Sequence, residues 1–170
     1  MTFNEFSQQE SDWLATARQM GQEAAEVLKK NFRRRDLGIE DKGNAYDIVT
    51  EADKGSERII LDYIHRHYPD HAILSEESGD DHRQARCQWV IDPLDGTVNY
   101  SAGLATYCIS IGLKVDGETR MGYVYAPTLD EEFYAIKGKG ASMLKNQYGQ
   151  YLLRVIDELK EDITSDTFRK

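Results

Sequence analysis

Apolar residues first recur with a helical period at Trp13, Leu14, Ala17, Met20, Ala24, Val27 and Leu28, the spacing of one buried helix face. Ser7 and Glu10 stand ahead of this series at capping-box separation, so the helix is predicted to start there. Its end is expected near Asn31, where Arg33, Arg34 and Arg35 supply solvated positive charge suited to a helix C-terminus. A second helix is predicted from Thr50, with Asp53 at the reciprocal capping position and Ile60, Tyr63, Ile64 and His67 as its inner face. Pro69 ends it.

Beyond Pro69 the period falls to two. Strands are predicted at 72–75, 88–91, 107–115, 118–125 and 132–136, with Asp116-Gly117 as a hairpin turn and the KGKG run at 137–140 as another. A helical stripe then returns at Tyr148, Tyr151, Leu152, Val155, Ile156, Leu159 and Ile163, which needs a sheet or a second chain to cover it. The pattern predicts an α+β fold: two N-terminal helices on one face of a mainly antiparallel sheet. Residues 1–141 form that unit, and 142–170 are expected to be a helical addition through which the chain would oligomerise.

With 170 residues the chain is long enough for one domain with a sizeable core. Thirty acidic against 21 basic residues leave a net charge of −9, which argues against a partner held through nucleic-acid phosphates. No apolar run is long enough to span a bilayer, and the N-terminus lacks a basic region followed by an apolar one. Cys87 and Cys108 have no C-x-x-C spacing, as expected of reduced thiols in a cytoplasmic protein.

Acidic residues cluster where predicted elements end. WVIDPLDGTVNY, at 89–100, carries an apolar strand straight into Asp92 and Asp95, and Glu76-Glu77 follows the 72–75 strand. Crowded carboxylates are costly in an apolar setting without a cation, and magnesium takes such hard oxygen ligands. The fixed φ of Pro93 helps turn the chain, and Gly96 allows close approach of a ligand. If a helix begins at Thr97, its free N–H groups favour an anion. Each feature also has a plain reading: Asp-Pro and Asp-Gly are turn dipeptides, and Thr50/Asp53 is a helix cap.

Three ordered segments, DIVTEAD at 47–53, ILSEES at 73–78 and WVIDPLDGTVNY, closely resemble the inositol monophosphatase family. The resemblance continues to GKGA, ending at Ala141. It implies the first half of a layered α/β/α/β/α sugar-phosphatase fold, and magnesium-dependent, lithium-sensitive hydrolysis of a small phosphorylated polyol or sugar. Carried over by position, Glu76, Asp92 and the Leu94 carbonyl resemble ligands of one Mg2+, and Asp92 with Asp95 ligands of a second. Asp53 and Thr97 resemble the pair that orients and deprotonates water, and Glu76 belongs with them to the catalytic set that the resemblance implies. Gly96 and Thr97 would hold phosphate through backbone N–H groups, with Glu76, Leu94 and Asp95 lining the same substrate site. Lys42 and Glu77 match supporting positions. The Val98-Asn99-Tyr100 continuation is closer to the inositol phosphatase type than to the bisphosphate nucleotidase type.

The family pattern continues into a second subdomain marked by Trp-Asp, whereas the tryptophans here are Trp13 and Trp89, neither followed by Asp. Two readings therefore stand side by side: a phosphatase, or a half-fold serving as a non-catalytic binding or assembly module.

Overall fold

The computed structural model describes residues 7–34, 36–44 and 47–145, with backbone alone at 41–44, 47–48 and 145. The side chain of Lys42 lies outside what is described, as does the stripe from Tyr148 to Ile163 with the oligomer contact assigned to it.

Helix α1 (Gln8–Asn31) opens on the Ser7/Glu10 capping box, in which each side chain accepts from the other residue's backbone N–H. The expected apolar face is buried, Val27 excepted, which is half-buried. Strands β1 (Glu40–Asn44) and β2 (Asp47–Val49) form a small antiparallel pair leading into helix α2 (Glu51–His67). Thr50 caps α2, with Asp53 completing a second capping box.

The inner face of α2 differs from expectation at its end. Ile60 and Ile64 are fully buried, but His67 is exposed and stacks beside Tyr63. Asp53, Ser56 and Glu57 are buried instead, at the start of the helix. The last turn of α2 runs past the edge of the core, so the apolar face shortens there.

The main sheet comprises β3 (Ala72–Ser75), β4 (Gly79–Asp80), β5 (Cys87–Asp95), β6 (Cys108–Val115), β7 (Glu118–Ala126), β8 (Glu131–Ile136) and β9 (Gly140–Lys145). Its order is β4-β3-β5-β6-β7-β8-β9, and each pairing is antiparallel except β3 with β5. The mainly antiparallel α+β expectation holds, with one parallel pair added. Asp116 and Gly117 both take positive φ in the β6–β7 hairpin, as an Asp-Gly turn requires. Residues 142–145 are strand rather than helix, so the boundary expected after Ala141 falls inside β9.

Both long helices pack on one sheet face: α1 against β6 and β7, α2 against β5. Gly21 allows α1 its close approach, because a Cβ there would lie 2.6 Å from Cε1 of Tyr123 on β7. A polar network pins the same contact. Glu132 on β8 accepts from Arg18 Nε at 2.6 Å, Gln22 at 3.0 Å and the Tyr123 hydroxyl at 3.2 Å. Among the described residues, no helix is long and apolar enough to cross a membrane.

Candidate active site

The acidic segments meet where β3 and β5 run side by side. Their parallel register sets Ser75 beside Ile91, and the Glu76 N–H extends the pairing by donating to the Ile91 carbonyl at 3.0 Å. Glu76 is thereby delivered next to Asp92. The Asp92 carboxyl is raised to about 7, first by burial and then by the neighbouring Glu76 carboxyl, with the charge of Asp95 adding to it. Such an upward shift is what crowding of acids produces without a cation.

The β5–β6 ladder slips between Asp92 and Asp95, so Pro93 and Leu94 form an irregularity that redirects the strand. Strict alternation of burial stops there: Leu94 is buried, Asp92 half-buried and Asp95 exposed. The Leu94 N–H donates to Asp92 Oδ1 at 3.2 Å, closing the turn. Cys108, opposite Asp95 on β6, donates its Sγ–H to Asp95 Oδ2 at 3.5 Å. Burial and the Asp95 charge push that thiol up to about 12.

Gly96 follows with φ +90° and caps the five-residue helix α3 (Thr97–Ser101). A Cβ at this position would sit 3.0 Å from the Thr106 carbonyl oxygen, so conformation and space both call for glycine. The Tyr100 hydroxyl anchors α3 to α1 by donating to the Leu28 carbonyl at 2.7 Å.

Thr97 links the turn to α2. Its single hydroxyl proton has two acceptors in reach, Asp53 Oδ1 at 2.9 Å and the Leu94 carbonyl at 3.0 Å. Asp53 is 1% exposed, and its other oxygen accepts from the Thr50 N–H at 2.9 Å and the Thr50 hydroxyl at 2.5 Å. Burial raises the Asp53 carboxyl, while the donors on Thr50 and Thr97 oppose the shift. One residue thus serves as a helix cap and faces the Thr97 hydroxyl.

The structure brings Glu76 to Asp92, Asp95 to the end of the same turn, and Asp53 to Thr97, whose hydroxyl also reaches the Leu94 carbonyl. Glu77 is half-buried in the turn beside Glu76. Among the described residues, no three His, Cys, Asp or Glu side chains converge into a preformed ion site. Glu76, Asp92, Asp95 and the Leu94 carbonyl nevertheless form an all-oxygen donor set of the kind magnesium takes, an ion that keeps several waters and needs few protein ligands. The crowding of Asp92 by Glu76 and Asp95, which raises its carboxyl, marks where positive charge fits.

Three polar residues escaped the sequence reading. Ser56 donates to the Pro93 carbonyl at 2.7 Å, Glu57 accepts from Ser75 and Ser78, and Cys108 holds Asp95. A signal existed for Glu57: it lies one helical turn after Asp53, in line with Ile60 and Ile64.

Known proteins resemble this chain throughout the region. It is 43% identical over 121 residues to a protein named Nus factor SuhB from Pasteurella multocida, covering 71% of this chain and 45% of that one. It is 38% identical over 135 residues to the inositol monophosphatase of Mesembryanthemum crystallinum, covering 77% and 49% respectively. The solved structure of the Thermotoga maritima IMPase superposes with a TM-score of 0.72 at 35% identity, covering 78% of this chain and 51% of that one. The chain spans about half the length of the curated relatives it matches. A family model described as the inositol monophosphatase family matches residues 9–164, which carries the resemblance past Ala141, where the motifs alone had ended it. With that match, the chain belongs to the inositol monophosphatase family.

Proposed function

We propose that this protein hydrolyses a small phosphate monoester, such as an inositol monophosphate, with magnesium as its cofactor. The observation that carries this reading is the Thr97 hydroxyl, set 2.9 Å from Asp53 Oδ1 and 3.0 Å from the Leu94 carbonyl within the Asp92–Asp95 turn. Glu76, Asp92, Asp95 and the Leu94 carbonyl would hold magnesium, which when bound supplies Lewis-acid stabilisation of phosphate charge and easier deprotonation of water.

The chain's own groups then have defined tasks. Thr97 positions the attacking water with its hydroxyl oxygen and passes a proton to Asp53 Oδ1. Asp53 is suited to accept it, because burial lifts its proton affinity while Thr50 keeps it oriented. The N–H groups of Gly96 and Thr97 face phosphate oxygens, and Glu76 and Asp95 line the same site. Lys42 and Glu77 support it from the flanking segments. Substrate is a phosphorylated polyol or sugar, and lithium sensitivity follows from the same reading.

The test is phosphate release from inositol monophosphate by the purified chain, with magnesium and with or without lithium. Turnover that needs magnesium, falls with lithium and is abolished in Asp95→Asn supports the proposal. A full-rate Asp95→Asn protein would refute the site.

The relatives named Nus factor favour a second reading, a non-catalytic binding or assembly module. Complete absence of phosphate release at every protein concentration, with magnesium still bound, is its expected outcome.

A further inference from the structure

Helix α2 touches every segment of the candidate site through one turn of its buried face. Asp53 meets Thr97, Ser56 donates to the Pro93 carbonyl at 2.7 Å, and Glu57 reaches the turn that carries Glu76. The Glu57 contact is the least expected of the three. Its Oε1 accepts from the Ser75 hydroxyl at 2.5 Å and from the Ser78 backbone N–H at 3.0 Å. Glu57 is 9% exposed, and no Lys or Arg among the described residues forms an ion pair with it.

A buried carboxylate without a cation is costly, and a core helix of this kind has no packing need for one. Its two donors account for it. Ser75 precedes Glu76 and Ser78 follows two residues later, so Glu57 grips the turn on both sides of the metal-ligand candidate. The Glu76 N–H is itself bound to the Ile91 carbonyl at 3.0 Å. The turn is thus fixed from α2 and from β5 together, with the Glu76 side chain left to face Asp92.

We infer that Glu57 is a positioning residue for the cation site: it locks turn 75–78 so that Glu76 faces Asp92, and it sets magnesium affinity without touching the ion. This rests on the magnesium reading above. Partners that orient metal ligands in this way change affinity by about 10- to 100-fold when removed.

The test combines a metal titration with hydrogen exchange on the wild-type chain, Glu57→Ala, Glu57→Gln and Ser75→Ala. Without metal, the Ser78 amide of Glu57→Ala is expected to exchange faster than wild type. With metal, calorimetry is expected to show affinity weakened by about 10- to 100-fold in Glu57→Ala. Glu57→Gln keeps the acceptor oxygen and is expected to recover most of the affinity, and Ser75→Ala falls between. Should Glu57→Ala not fold, Ser75→Ala and Glu57→Gln carry the comparison. Wild-type affinity in Glu57→Ala or Ser75→Ala, or unchanged exchange at Ser78, overturns the inference. No magnesium binding by the wild-type chain overturns the magnesium reading, and the affinity clause here falls with it, while exchange at Ser78 still judges the lock.

Discussion

Replacing Asp53 by Asn separates the two duties of this residue. The carboxylate accepts two hydrogen bonds from Thr50 on Oδ2 and one from Thr97 on Oδ1. An asparagine can place its oxygen at the Thr50 side and its NH2 toward Thr97. Thr97 Oγ1 then accepts from that NH2 and donates to the Leu94 carbonyl, 3.0 Å away. Thr50 and Thr97 both keep their partners, and a buried charge disappears, so the fold should lose no more than about 1 kcal/mol. For a chain of this size that is a drop of about 2–4 °C in Tm. The chemistry fares differently, because the amide cannot accept a proton and the Thr97 hydroxyl now points away from residue 53. Loss of a general base costs about 10²- to 10⁴-fold in rate. The assay is magnesium-dependent phosphate release at saturating substrate, with a thermal melt of the same sample. Near-wild-type turnover in Asp53→Asn would refute the proton path. A collapse of Tm by tens of degrees would show that the cap, and not the base, is what this residue supplies.

Two further outcomes follow from other parts of the structure. Arg18→Ala leaves Glu132, among the described residues, with the neutral donors Gln22 and Tyr123, and because Arg18 is about one-third exposed the loss should be about 1–2 kcal/mol; a denaturant midpoint equal to wild type would contradict the anchoring of α1. The His71 Nδ1 accepts the indole N–H of fully buried Trp89 at 3.1 Å, which requires the neutral ring. Burial lowers the His71 pKa, against a smaller opposing effect of Asp70, so the folded state resists protonation more than the unfolded one. That contribution is complete above the unfolded value of about 6.5 and is lost as pH falls toward the lower folded value. Denaturant titrations from pH 7.5 to 5 should show the decline, and His71→Phe should remove that part of it; an unchanged slope in the variant would contradict the assignment.

Local chemistry was readable in the chain, and long-range pairing was not. The Ser7/Glu10 and Thr50/Asp53 boxes, the Asp116-Gly117 turn and the alternation in β6 are nearest-neighbour signals, and they appear in place. Parallel pairing of β3 with β5 depends on segments 16 residues apart in register, and no local pattern encodes it. Strand β9, GASMLK, opens with small residues of weak β preference and owes its conformation to β8. The cation-site candidates were legible because carboxylates stand out at strand ends. Ser56, Glu57 and Cys108 were not, since a serine, a glutamate on a helix and a thiol on a strand look ordinary until their partners are known.

The central claim is that Glu76, Asp92 and the Leu94 carbonyl tolerate one another because a hard dication belongs among them. Anomalous diffraction from crystals grown in manganese, standing in for magnesium, tests it directly. The account predicts a single strong peak bonded to those three groups, with Asp95 turned toward it. Ordered carboxylates splayed into solvent with no peak between them would contradict it.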